Sequence, residues 1–187
     1  MSPPRAARRP RIREHEVVRT AARFLERAGY RVYENPDATD YFDLVAWRGD
    51  EVGLVEAKVS GSREVLAQAL RRRAWGDWVA VVLPSPTAAE RLVARTSGTR
   101  AAPVGVWVAN ASGELRVIRE AARWCRAGED DPFADLRARF RSVLDRIDSG
   151  ELPPEVRWGG VVGSVRRASG GRGFREWRLD EPPAPDR

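Results

Sequence analysis

Residues 40–58 leave this chain few ways to fold. Segments 41–47 and 52–58 are rich in β-branched and aromatic residues, and Arg48-Gly49-Asp50-Glu51 between them has the composition of a tight turn. A hairpin closed there sets Trp47 opposite Val52, whether the loop is four residues or only Gly49-Asp50. The same register sets Asp43 opposite Glu56, with Cβ atoms roughly 5 Å apart. Lys58 follows Glu56 by two residues and projects from the same face. Two carboxylates and an ammonium therefore converge at one end of an otherwise apolar hairpin.

Carboxylates this close raise each other's pKa unless a cation neutralises them. A hard divalent ion is the natural partner, and Mg²⁺ favours one or two carboxylates completed by phosphate oxygens and water. Lys58 would hold or activate an attacking water, or stabilise charge on a phosphate. It is also the only lysine among 33 basic residues. Wherever else the chain carries a cationic side chain of this type it uses arginine, so a compact ammonium at this position is distinctive.

The residue inventory excludes other chemistries. One histidine and one cysteine (His15 and Cys125) cannot build a Cys/His zinc site, a paired-histidine nuclease or an internal disulfide framework. No Gly-x-Ser-x-Gly elbow accompanies His15. A net charge of +6 and a pI of about 10.5 favour a polyanionic partner, DNA first. No apolar run approaches the ~20 residues that span a bilayer, and the basic start lacks an apolar signal region. A cytoplasmic protein with no membrane partner is the expectation.

In chain order, residues 1–13 read as a disordered basic arm, whose Arg8, Arg9, Arg11 and Arg13 either follow phosphates or are inert. Residues 14–28 have helical periodicity closed by Gly29. Glu14 in the first turn either complements the helix dipole or leans into the carboxylate site, and His15 is a surface or phosphate-contacting residue. A strand follows at 30–34 and a loop at 35–40. A helix over 62–75, capped by Ser62, carries Gln68 and the run Arg71, Arg72, Arg73, which is either a solvated face or a phosphate contact. Strands at 77–83, 104–109 and 115–118, with a helix at 87–96, complete an α/β alternation.

The acidic, breaker-rich segment 127–132 marks a subdomain boundary between a core at 14–126 and an extension at 133–181. The extension comprises an amphipathic helix at 133–147 and a basic, aromatic stretch containing Arg166, Arg167 and Arg172. Its Trp158, Phe174 and Trp177 either cover the sheet end or contact nucleic acid. Residues 182–187 read as a disordered tail.

Taken together, Glu14-His-Glu-Val-Val18, Ala28-Gly-Tyr-Arg-Val32, Asp43-Leu-Val-Ala46 and Val55-Glu-Ala-Lys58 resemble the PD-(D/E)xK nuclease superfamily. Within it they are most similar to the archaeal Holliday-junction resolvase and Mrr-like restriction branches. The resemblance covers residues 14–84 and, loosely, the sheet to Ile118. Phe42 stands where the family has proline, and the loop 35–40 lacks the basic, Ser/Gly-rich character of junction resolvases.

The resemblance implies a restriction-endonuclease-like mixed sheet flanked by helices. It implies Mg²⁺, or Mn²⁺ in its place, on Asp43, Glu56 and the Ala57 carbonyl. Lys58 would orient the attacking water and Glu14 would complete the metal or water shell. The expected activity is that of a Mg²⁺-dependent DNA endonuclease in repair, recombination or restriction, with selectivity for branched DNA and a homodimeric state drawn from the same relatives. Two competing expectations are a non-catalytic DNA-binding protein that keeps the fold and a glycosidase-type carboxylate-pair hydrolase. The lysine and the basic surface weigh against the latter.

Overall fold

The hairpin closes in the expected register. In the computed structural model, which describes residues 12–34, 42–59, 63–124, 131 and 133–153, strand β2 (Leu44–Arg48) pairs antiparallel with β3 (Glu51–Ala57). Leu44 lies opposite Val55, Trp47 opposite Val52 and Arg48 opposite Glu51. The loop is Gly49-Asp50, and Gly49 has φ +56°, a left-handed conformation that a side chain disfavours.

Four further strands extend the hairpin into one mixed six-stranded sheet in sequential order. β1 (Arg31–Glu34) pairs antiparallel with β2. β4 (Trp78–Leu83) and β5 (Gly105–Ala109) continue parallel from β3, and β6 (Leu115–Arg119) returns antiparallel. β4 is buried at every position, as a central parallel strand covered on both faces requires. Trp78 lies flat across Gly53, its partner on β3. A Cβ at Gly53 would sit 1.9 Å from the Trp78 ring, so only glycine fits there.

The alternation of the strands sends their side chains to two clusters. Helix α1 (Glu14–Arg27) covers one face, where Val17, Ala21 and Leu25 meet Leu44, Val55, Ala57 and Val82. The other face is covered by α2 (Arg63–Arg72), α3 (Pro86–Thr96) and α4 (Ala134–Asp148). α2 ends three residues before its expected limit. The chain turns there, Trp75 N–H bonding the Arg72 carbonyl at 2.9 Å, and the Trp75 ring is buried. Ser62, its expected cap, lies outside the described residues.

Helix α4, set apart in the sequence as an extension, is packed into the main core. Phe140 meets Phe42 and Trp75 at centroid separations of 5.6 and 5.8 Å. Arg137 bridges Asp131 (2.7 Å) and the Arg73 carbonyl (2.9 Å), and Arg141 reaches Asp77 at 2.7 Å. The basic arm up to residue 11, the loop 35–41, and the basic aromatic stretch with its tail (154–187) lie outside the described residues. No helix among the described residues is long and apolar enough to cross a membrane.

Candidate active site

β2 begins immediately after Asp43, and β3 ends at Ala57. One further step of the same register brings Asp43 and Glu56 to one sheet end, on the face that α2 covers. There the Asp43 carboxylate takes the place of a ladder carbonyl, its Oδ2 accepting the Ala57 N–H at 2.7 Å. Phe42 is clamped between Trp75 and Phe140, so α4 anchors the residue next to this carboxylate. The Lys58 N–H still bonds the Val82 carbonyl of β4 at 3.1 Å. Backbone and carboxylate are therefore both fixed where the strand ends.

Glu56 is 4% exposed, and its Oε2 accepts no hydrogen bond. Arg72 Nε, from the last turn of α2, stands 3.5 Å from that oxygen. Burial, and then the charge of Asp43, push the Glu56 carboxyl up to about 7; Arg72 and Lys58 pull against the rise without cancelling it. Asp43 is raised too, by burial first, with the Ala57 N–H and Lys58 opposing. Burial alone would lower the Lys58 ammonium, but Asp43, Glu14 and Glu56 outweigh it and raise the group. Lys58 Nζ donates to Glu14 Oε1 at 3.2 Å.

The structure thus brings Asp43, Glu56, Ala57, Lys58 and Glu14 together. Glu14 occupies both of its expected places, in the first turn of α1 and against the site, but its partner there is the lysine. Among the described residues no group of three or more His, Cys, Asp or Glu side chains is placed to hold a metal. The acidic donor set is therefore the Asp43–Glu56 pair. That pair fits a hard divalent cation: a buried carboxylate oxygen lacks a hydrogen bond, and Glu56 is held back from ionising. Water and a phosphate would complete such a shell.

The expected DNA contacts divide. Arg71 is exposed at the end of α2, but Arg72 turns toward Glu56, and Arg73 lies over the Trp124 and Phe133 rings. The helical phase accounts for this. Val65, Leu66, Ala69 and Leu70 define the buried face, and positions 72 and 73 continue it, whereas 71 does not. That phase was the available signal for Arg72 as the partner of Glu56. Gln68 is half-buried on α2, its Oε1 enclosed and without a hydrogen bond. Arg13 and His15 are exposed, Arg13 serving as the N-cap of α1 through its backbone. Arg8, Arg9, Arg11, Arg166, Arg167 and Arg172 lie outside the described residues.

Comparison with protein-family models, with curated proteins and with solved structures finds no match to this chain.

Proposed function

We propose that this protein is a Mg²⁺-dependent DNA endonuclease of the PD-(D/E)xK type, hydrolysing phosphodiester bonds at the Asp43–Glu56–Lys58 cluster. The observation that carries the reading is a buried carboxylate, Glu56, and a half-buried one, Asp43, both with raised pKa values, beside the chain's only lysine. Such an arrangement is costly to fold and is characteristic of sites that do chemistry.

Asp43 and Glu56, with the Ala57 carbonyl, are the groups that would hold Mg²⁺ or Mn²⁺. The bound ion would supply Lewis acidity toward a phosphoryl oxygen and lower the pKa of a ligated water. Asp43 fixes the end of β3 through the Ala57 N–H, which keeps the two carboxylates in register. Lys58, raised in pKa and held by Glu14, stays protonated at neutral pH. Its role is therefore to orient water and offset phosphate charge, and not to accept a proton. Glu14 positions that ammonium. Arg72 steadies Glu56 from behind and moderates its charge.

One contact favours a second reading, a DNA-binding protein that keeps the site without catalysis. The Arg72–Glu56 pair already supplies protein-borne positive charge where a metal would otherwise be needed. End-labelled duplex and branched DNA, incubated with Mg²⁺ or EDTA, separates the two. Mg²⁺-dependent strand scission that is lost in Asp43→Asn supports the nuclease. Salt-sensitive binding with no scission in Mg²⁺ or Mn²⁺ supports the second reading, and neither binding nor scission sinks both.

A further inference from the structure

β3, β4 and β5 run parallel, so the turn after β5 lies at the same sheet end as Asp43, Glu56 and Lys58. Strands are spaced about 4.8 Å apart and rise about 3.3 Å per residue, so the turn lies two strands across from Glu56 and several residues beyond its level, roughly 15 Å away. α1 lies over this region, Val17 sharing a cluster with Ala57, Val82 and Ala109. Between α1 and the turn is a polar cavity of about 380 Å³, bordered by Arg19, Thr20 and Arg23 on the helix and by Ser112 and Gly113 on the turn.

Arg19 and Arg23 stand four residues apart on α1, a spacing at which like charges repel. Among the described residues neither has a carboxylate partner. Arg23 Nη2 donates to the Thr20 hydroxyl at 3.4 Å. Several arginines that turn inward elsewhere meet a carboxylate, Arg72 at Glu56, Arg137 at Asp131 and Arg141 at Asp77, whereas Arg119 is held by the Val104 and Ala101 carbonyls and the Thr96 hydroxyl. Glu16 also borders the cavity, but its carboxylate accepts the Arg13 backbone N–H at 2.6 Å. The opposing wall is stiff. Asn110 Oδ1 accepts the N–H groups of Ser112 and Glu114, and Gly113 has φ +79°. A Cβ at Gly113 would lie 2.9 Å from Arg23 Nη2, so the glycine lets the guanidinium rest against the turn.

Two guanidinium groups without carboxylate partners beside a polar cavity match the oxygens of a phosphate. We propose that this groove is a phosphate subsite, in which Arg19 and Arg23 grip the nucleic-acid backbone at the same sheet end as the carboxylate cluster but on the face that α1 covers. The identity of the strand as DNA rests on the nuclease reading, whereas the anion chemistry of the groove does not.

The test compares Arg19→Gln/Arg23→Gln with Arg91→Gln/Arg95→Gln. The second pair removes the same charge from α3, on the opposite face of the sheet. Labelled duplex and single-stranded DNA are titrated across a salt series, and inorganic phosphate is titrated separately. The slope of log K against log salt is expected to fall by about 1.8 for the first pair, two contacts at about 0.9 each, and to hold nearly constant for the second. Equal losses in both pairs overturn the subsite. Inorganic phosphate that binds at low millimolar concentration only when Arg19 and Arg23 are present, without displacing DNA and with the DNA salt slope unchanged by the first pair, would assign the groove to free phosphate and overturn the backbone role. A parallel Mg²⁺ cleavage assay keeps the two proposals apart. Cleavage with equal binding losses leaves the nuclease and removes the subsite; a selective loss without cleavage does the reverse.

Discussion

Glu56 should make this fold lose stability as pH rises through neutrality, and Glu56→Gln should remove most of that dependence. The carboxyl has a pKa of about 7 in place of an ordinary 4.5. A folded state that holds its proton more tightly than the unfolded chain binds more protons across that window, so stability falls as pH climbs from about 4.5 to 7. Each tenfold difference in proton affinity is worth about 1.4 kcal/mol, and ionising this side chain at pH 8 therefore costs the fold about 3 kcal/mol. For a chain of this size that is a drop in Tm of roughly 6–12 °C. Asp43 tilts both proteins in the same direction, and Lys58, raised from 10.5, matters only in strong alkali. Thermal melts by circular dichroism in EDTA, from pH 5 to 8.5, measure the difference in slope and are insensitive to any constant offset from the Arg72 contact. Adding Mg²⁺ at pH 8 should restore wild type by mass action and leave Glu56→Gln nearly unchanged. Parallel curves for the two proteins, or equal Mg²⁺ stabilisation, would refute the electrostatic account of the site.

On the nuclease reading, Lys58→Arg should lower single-turnover cleavage by at least about 10²-fold, near 3 kcal/mol, because a planar guanidinium cannot take the place of a compact ammonium beside a water; DNA affinity in Ca²⁺ should stay within a few-fold, and near wild-type cleavage would remove any specific role for the lysine. Gly53→Ala should destabilise by about 1–3 kcal/mol or more in urea titrations, since the added methyl overlaps the Trp78 ring; an unchanged midpoint would mean that Trp78 moves freely. Phe140→Ala should cost about 3–5 kcal/mol, and a loss under about 1 kcal/mol would show that α4 is peripheral.

The hairpin and its register were legible because the signals were local. A two-residue turn and period-two alternation fix which residues face each other, and a slip of one would have inverted every side chain. The opening helix followed from its helical periodicity, and the buried β4 from an unbroken apolar run of strand length. What could not be read was tertiary. Segment 127–132 looks like a boundary by composition, yet Phe140 packs on Phe42 from nearly a hundred residues away, and no local pattern encodes that contact. The run 71–73 reads as one basic patch, whereas helical phase sends Arg72 and Arg73 inward and leaves Arg71 outside. Arg19 and Arg23 carry no local signal, because an exposed arginine on a helix is unremarkable until the turn after β5 closes a cavity beside it.

The same charge balance underlies both the proton and the proposed metal at this site. Asp43, Glu56 and Glu14 are three carboxylates gathered around two cations, Lys58 and Arg72, leaving one negative charge in excess if all are ionised. The cations are not shared evenly. Lys58 is hydrogen-bonded to Glu14, which is far more solvated than Glu56, while Glu56 is enclosed and its contact to Arg72 is long. The excess therefore falls on Glu56, which without a further cation responds by retaining a proton to about pH 7. A divalent ion would relieve the same excess by another route, so proton and metal compete for one carboxylate, and Mg²⁺ should be taken up most readily above about pH 7, where Glu56 has given up its proton and the bare fold has already lost the stability which that proton supplied.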